Sequence, residues 1–447
     1  MLNAASAPAD LLSGVLSVAG DTAAFLNSGL GAIGPIAARA VSGQIDVTFK
    51  TGTSGDFSET LALAATGSNA SGYSASLGAE TLTIEGAITP PSGQVFNLTT
   101  GADNFVEPAG SSDNTVIATG GTLSAGDDID PGNGGGNTLA LQGAGVFNMT
   151  LPATLTDIDT VTAQEGQTSY VHNGVTYVSQ TQTVDLRSGL DATIEVAPAT
   201  VNPGNPDTPT ITIVGAANDT STINLATGND AVTLGSAQET VNGGGGNNTF
   251  DVNAATIGAT INGGTGTNLL EVTGGGTMAM GGNIQQIADA LLVGSSTPYD
   301  FTANGLSGLL VDDLGTATAD TLIAGGSNQI LTGGGAGELT MDAANQTNAL
   351  LKDSAAAFNG DTVKDLVNGD MIDVTGLSFS AVNTSLGFAF NSGADTTTMS
   401  VSLSGTQKTA MTLLGQYMAS DFTIAADTAG TGTLITLNHE LNLAMPH

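Results

Sequence analysis

Three short segments carry the residues best suited to chemistry: Leu225–Val232 (LATGNDAV), Gly243–Phe250 (GGGGNNTF) and Gly263–Leu270 (GGTGTNLL). In each, a glycine stands two residues before Asp230, Asn248 or Asn268, and an apolar residue two after. A glycine with positive φ turns the chain tightly and leaves backbone carbonyls facing outward. The Asp or Asn adds a side-chain oxygen. Two such turns, stacked, can surround a hard cation of Ca²⁺ size with six or more oxygens. Asn97–Phe105 (NLTTGADNF) repeats the design with Asp103, and Gly132–Ala140 (GNGGGNTLA) repeats it with Asn137. Asp127, Asp128 and Asp130 lie between them. We therefore expect Asp103, Asp127, Asp128, Asp130, Asn137, Asp230, Asn248 and Asn268 to ligate Ca²⁺. The alternative is that the same side chains ladder and turn the chain without metal.

The spacing of these turns says what must hold them. Gly228, Gly246 and Gly266 fall 18 and 20 residues apart, the length of two short strands and two tight turns. That is one coil of a parallel β-solenoid. In this register Val232, Phe250 and Leu270 stack on one inward strand, and Val241, Ile261 and Met280 on the other. A single coil cannot bury its apolar residues, so several must pile together. Ile284–Val293 interrupts the register and reads as a short helix or an excursion.

Composition sets the outer bounds. The chain has 447 residues, 63 of them glycine, with no cysteine and no tryptophan. Thiolate metal sites and disulfides are excluded. Net charge is −35, from 41 acidic and 6 scattered basic residues. Nucleic-acid backbones and anionic membranes need clustered Lys and Arg, so neither is an expected partner. Leu11–Leu26 is apolar, but Gly14, Gly20 and Asp21 interrupt it. It is too short to span a membrane. No Lys/Arg-led signal peptide opens the chain, so any export is expected to avoid the cleaved-signal route.

The predicted class is all-β: parallel β-solenoid or β-roll blocks with a short N-terminal helical segment and a C-terminal β-rich tail. Residues 1–42 have apolar residues at helical spacing and read as an anchoring or capping helix. Residues 43–96 alternate as strands. Residues 97–210 form a first solenoid block, with a strand insertion and a Pro-rich linker. Residues 211–345 form a second block, and residues 346–447 a C-terminal β domain.

The nonapeptide pattern Gly-Gly-x-Gly-x-Asp-x-apolar-x is that of RTX-type repeat proteins, and Gly243–Phe250 and Gly263–Leu270 resemble it. Asn248 and Asn268 stand where that family has Asp, which implies fewer or weaker calcium sites. Gly369–Leu377 (GDMIDVTGL) resembles the segment that closes RTX β-rolls ahead of a type I secretion tail. The resemblance adds Asp370 and Asp373 to the expected ligands. It also implies folding driven by calcium outside a Gram-negative cell.

Catalytic patterns are weak. His439-Glu440-Leu441-Asn442-Leu443 lacks the second His of a zinc-protease helix, and no glycine-rich loop ends in Gly-Lys-Ser/Thr. The expectation is a non-enzymatic, extracellular or cell-surface protein that assembles with itself as a calcium-stabilised surface layer. The alternatives are a biofilm-matrix filament subunit or RTX adhesin, and a secreted protein that binds or degrades polysaccharide. Cell-surface polysaccharide is a possible second partner.

Overall fold

The computed structural model describes residues 2–4, 10–50, 55–199, 204–205, 207–314, 319–333 and 339–438. Residues 439–443 of the incomplete zinc motif lie outside the described residues. The chain is all-β, with about 1% helix, and it divides into two compact units.

The first unit comprises residues 1–94 with 106–114 and 131–135. Its antiparallel sheet runs in the order Gly31–Ile36, Leu11–Gly20, Gly55–Ser68, Ser74–Ile88. Leu16, Ile33, Ile36 and Leu61 form its core. The expected N-terminal helix is thus overturned. Leu11–Gly20 is a strand paired along its whole length with Ser68–Glu59. The apolar spacing fits a helix, but Gly14, Val15 and Val18 are poor helix formers. Pairing with a long neighbour gives its backbone a hydrogen-bonded ladder along the whole strand instead. Gly14 is required there, because a Cβ would lie 2.7 Å from the Ala64 carbonyl oxygen.

The second unit is a parallel β-solenoid, and the chain as a whole makes about 13 solenoid turns. Three sheets of nine, thirteen and eight strands form its walls. Val232, Phe250 and Leu270 pair in register and are essentially buried. Val241 pairs with Ile261 as expected. The next rung is Ile284, not Met280. Ile284–Val293 does not break the stack either. Ile284–Gln285 continues one wall and Asp289–Val293 the other. The inserted piece is the strand Gly276–Ala279, which founds the eight-stranded wall. Pairing also runs unbroken from Gln182–Asp185 to Ile211–Val214 and from Thr340–Asp342 to Thr362–Lys364.

A column of threonines marks the strand starts on the nine-stranded wall: Thr115, Thr138, Thr160, Thr193, Thr222, Thr240 and Thr260. Threonine's branched Cβ favours extended backbone, and its hydroxyl tolerates the half-exposed edge. The last parallel strand of the thirteen-stranded wall, Met371–Thr375, is covered by Thr433–Leu437 running antiparallel, with Phe422–Ala426 beyond. The β-rich tail is therefore part of the stack and closes one of its ends, where an open parallel edge would invite association.

Candidate cation sites at the coil corners

At the corners each coil reaches back to the one before it. The side-chain oxygen of a corner residue accepts the backbone N–H of the preceding coil. Asp127 accepts from Asp103 N at 3.0 Å, Asp230 from Ile211 N at 2.9 Å, and Asn248 from Asp230 N at 2.9 Å. Asn268 accepts from Asn248 N at 3.0 Å, and Asp370 from Ala349 N at 2.8 Å. Asn137 donates its own N–H to Asp159 Oδ2 at 2.9 Å. The predicted ligands are brought together, then, as rungs of a hydrogen-bond ladder. Asp103, Asp127, Asn137, Asp230, Asn248, Asn268 and Asp370 are all buried.

Asn248 and Asn268 use both ends of the amide. Asn248 Nδ2 donates to the carbonyls of Gly243 at 2.7 Å and Gly245 at 3.1 Å. Asn268 Nδ2 donates to Gln286 O at 3.1 Å, and Asn137 Nδ2 to Asp157 O at 3.1 Å. These carbonyls belong to the oxygens a cation would need, and an amide N–H fills the place instead. As placed, Asn137, Asn248 and Asn268 do not fit a calcium ligand set. An aspartate could not donate here.

Three aspartates are satisfied by local donors. Asp103 Oδ2 takes the N–H of Thr99 at 2.7 Å. Asp127 takes the N–H of Ser124 at 2.7 Å and its hydroxyl at 2.9 Å. Asp370 Oδ2 takes the N–H of Val367 at 2.7 Å. Burial raises the Asp370 carboxyl's pKa, and these amide donors work against that rise.

Other carboxylates come together in pairs. Asp128 and Asp130 lie half-exposed on the strand Asp128–Asp130. Asp130 is within hydrogen-bonding reach of Asp157, whose pKa is raised by burial and then by Asp130. Asp373 is 6% exposed and its Oδ1 has no hydrogen-bond partner. Burial raises its pKa, as does the neighbouring Asp427, with Lys352 opposing. A Cβ on Gly432 would lie 2.7 Å from Asp427 Oδ2 and 2.8 Å from Asp373 Oδ1. Glycine keeps that oxygen-lined gap open, with two carboxylates beside one backbone position. Among the described residues no group of three or more His, Cys, Asp or Glu side chains is gathered closely enough to hold a metal by itself.

Several buried acids escape sequence reasoning, among them Glu165, Glu239, Asp219 and Asp353. Glu165 faces Asp230, and burial followed by Glu165 pushes the Asp230 carboxyl up to about 7 against the Ile211 amide. Glu239 takes the N–H of Gly235 at 2.9 Å and of Ser236 at 3.2 Å. Asp219, which also acts electrostatically on Glu239, takes the N–H of Asp191 at 3.2 Å. Asp353 is likewise raised to about 7 by burial. None lies in a glycine-rich turn, so only the folded stack reveals them.

Comparison with protein-family models, with curated proteins and with solved structures finds no match to this chain.

Proposed function

We propose that this protein is a secreted structural subunit that assembles with copies of itself into an extracellular layer, held together by divalent cations of the calcium type. The observation that carries this reading is the mismatch between a stack of about 13 coils and its charge. Net charge is −35 with only 6 basic residues. Among the described residues one ion pair forms, Lys364 to Asp342 at 3.0 Å. Such a chain must take its counter-charge from solution, and packed copies would repel without it. Ca²⁺ suits the available oxygen ligands, and the carboxylate pairs Asp130/Asp157 and Asp373/Asp427 are where it would bind. There it would neutralise like charges and link binding to stability. Exposed apolar side chains supply contact area: Val171 (68%), Val175 (54%) and Val178 (68%) around one hairpin, and Leu77 (59%) and Leu82 (60%) on one strand.

Electron microscopy of purified protein with millimolar Ca²⁺ and with chelator tests this reading. Ordered sheets that disperse on chelation are expected. A monodisperse protein under both conditions, at high concentration, overturns it. A filament is the second reading, favoured by Ser74–Ile88, a 15-residue strand at the edge of its sheet. A long edge offers backbone donors and acceptors to a strand from another copy. Fibres in place of sheets would select it.

A further inference from the structure

We infer that Glu165 and Asp230 form a buried binding site for one divalent cation of the calcium type, joining the segment after the strand Thr160–Gln164 to the turn before Ala231–Thr233. The inference deepens the cation reading above and concerns a different pair, in which both carboxylates are buried and each leaves one oxygen without a donor. Both residues are 2% exposed. Each has one satisfied oxygen. Glu165 Oε1 accepts the N–H groups of Thr227 and Gly228, both at 2.7 Å. Asp230 Oδ1 accepts Ile211 N at 2.9 Å. The second oxygens, Glu165 Oε2 and Asp230 Oδ2, are buried and have no hydrogen-bond partner. Of the corner carboxylates Asp103, Asp127, Asp230 and Asp370, only Asp230 meets a second carboxylate instead of a local amide or hydroxyl donor.

Two buried carboxylates cannot both ionise beside one another without compensation. The groups acting on Asp230 are burial, the Ile211 amide and the Glu165 carboxyl, which is within hydrogen-bonding reach of it, with no basic side chain among them. A dication cancels both charges, whereas a single shared proton leaves one behind. One backbone carbonyl, Pro209 O, which accepts the Asn229 N–H at 2.9 Å, lies beside the pair. At Gly228 a Cβ would sit 2.3 Å from Pro209 O and 2.9 Å from Glu165 Cδ. The missing side chain lets that carbonyl approach the carboxylate. Glu165 also lines a cleft of about 400 Å³ with Gln164, Gln167, Tyr177 and Gln180. A cation would reach the pair from this cleft, on the Glu165 side, and its shell water would have room there.

The test uses the full chain, stripped by chelator, and terbium as a luminescent substitute for Ca²⁺. Tyr177 lines the cleft and can sensitise a bound lanthanide. Tyrosine-excited emission should rise on adding Tb³⁺ and fall as Ca²⁺ displaces it. Glu165→Gln keeps an oxygen for the Thr227 and Gly228 amides, and its new N–H can donate to Asp230 Oδ2. That variant should fold, lose about tenfold in sensitised emission, and bind one fewer Ca²⁺ by calorimetry. Its unfolding midpoint without metal should exceed that of the wild type. Tyr177→Phe should lose the emission while keeping the full calorimetric count. Unchanged emission and ion count in Glu165→Gln overturn the site, as does a wild type in which the pair holds only a proton and no Ca²⁺ binds. Assembly of Glu165→Gln into sheets bears on the proposed function alone, so failure of either reading is distinguishable.

Discussion

The side-chain amide nitrogen of Asn248 donates to the carbonyl of Gly243 at 2.7 Å. One protein N–H thereby occupies a turn whose glycines would otherwise present oxygens to a cation. Replacing Asn248 with Asp removes that donor and turns a neutral contact into oxygen against oxygen. An unsatisfied buried polar group costs about 1–3 kcal/mol. Asn248→Asp should lose about that much in urea unfolding with chelator present. It should recover part of the loss in Ca²⁺, because the corner regains an all-oxygen lining. Equal stability of variant and wild type in chelator would show that the amide plug is dispensable.

Gly246 has φ +80°, and a Cβ there would lie 1.7 Å from the Gly228 carbonyl oxygen. Backbone strain of this kind costs about 1–3 kcal/mol before any clash is counted. Gly246→Ala should therefore destabilise by more than that range and speed amide exchange in the coils on either side. Gly430, also at positive φ but with open space around it, is the control. Gly430→Ala should lose only the strain. Equal losses at the two sites would refute the close-packing argument.

Stability in chelator should depend on pH in a stated direction. Burial, with Asp361, Asp312 and Asp313 nearby, lifts the Asp353 carboxyl to about 7, against the Ser354 amide. In the unfolded chain it loses its proton near the usual pH of about 4. Between those values the folded protein holds more protons, so stability falls as pH rises from about 4 to about 7 and then levels. Asp353→Asn should make this fall shallower in urea titrations across the window. An identical slope in the variant would remove Asp353 from the account.

Divalent ions should act beyond screening. At matched ionic strength, Ca²⁺ should raise the unfolding midpoint more than NaCl does, and Asp373→Asn with Asp427→Asn should shrink the difference. Surface charges screened by a Debye atmosphere respond to both salts alike. Coincident midpoints in the two salts would point to screening alone.

The stack was legible where its period was regular. The 18- and 20-residue spacings place Val232, Phe250 and Leu270 correctly, because each coil there is two strands with tight turns and nothing added. The register slipped at Met280, where the strand Gly276–Ala279 is inserted and Ile284 takes the inward place. Nothing in a local pattern announces such an insertion. The N-terminal strand is not legible locally, because Leu11, Leu12, Val15, Leu16 and Val18 satisfy a helical period, while the pairing partner that decides the matter, Gly55–Ser68, lies far along the chain. The corner residues were found by type and spacing. Their direction was not, since an Asn that faces a cation and one that faces a neighbouring carbonyl have the same neighbours in sequence. Glu165 meets Asp230 only because the strands after Thr160–Gln164 leave the stack and return.

That departure has a practical side. The antiparallel hairpin Tyr170–His172 and Val175–Tyr177 leaves after Thr160–Gln164, and the stack resumes at Gln182–Asp185 in register with Gly145–Asn148 and Ile211–Val214. Its stacked tyrosines, 4.8 Å apart between Tyr170 and Tyr177, tie off the loop at its own base. The rungs above and below are therefore indifferent to what hangs from the tip. The hairpin can be lengthened or exchanged without retuning the scaffold beneath it, and a protein engineer can use the same point to display a foreign peptide.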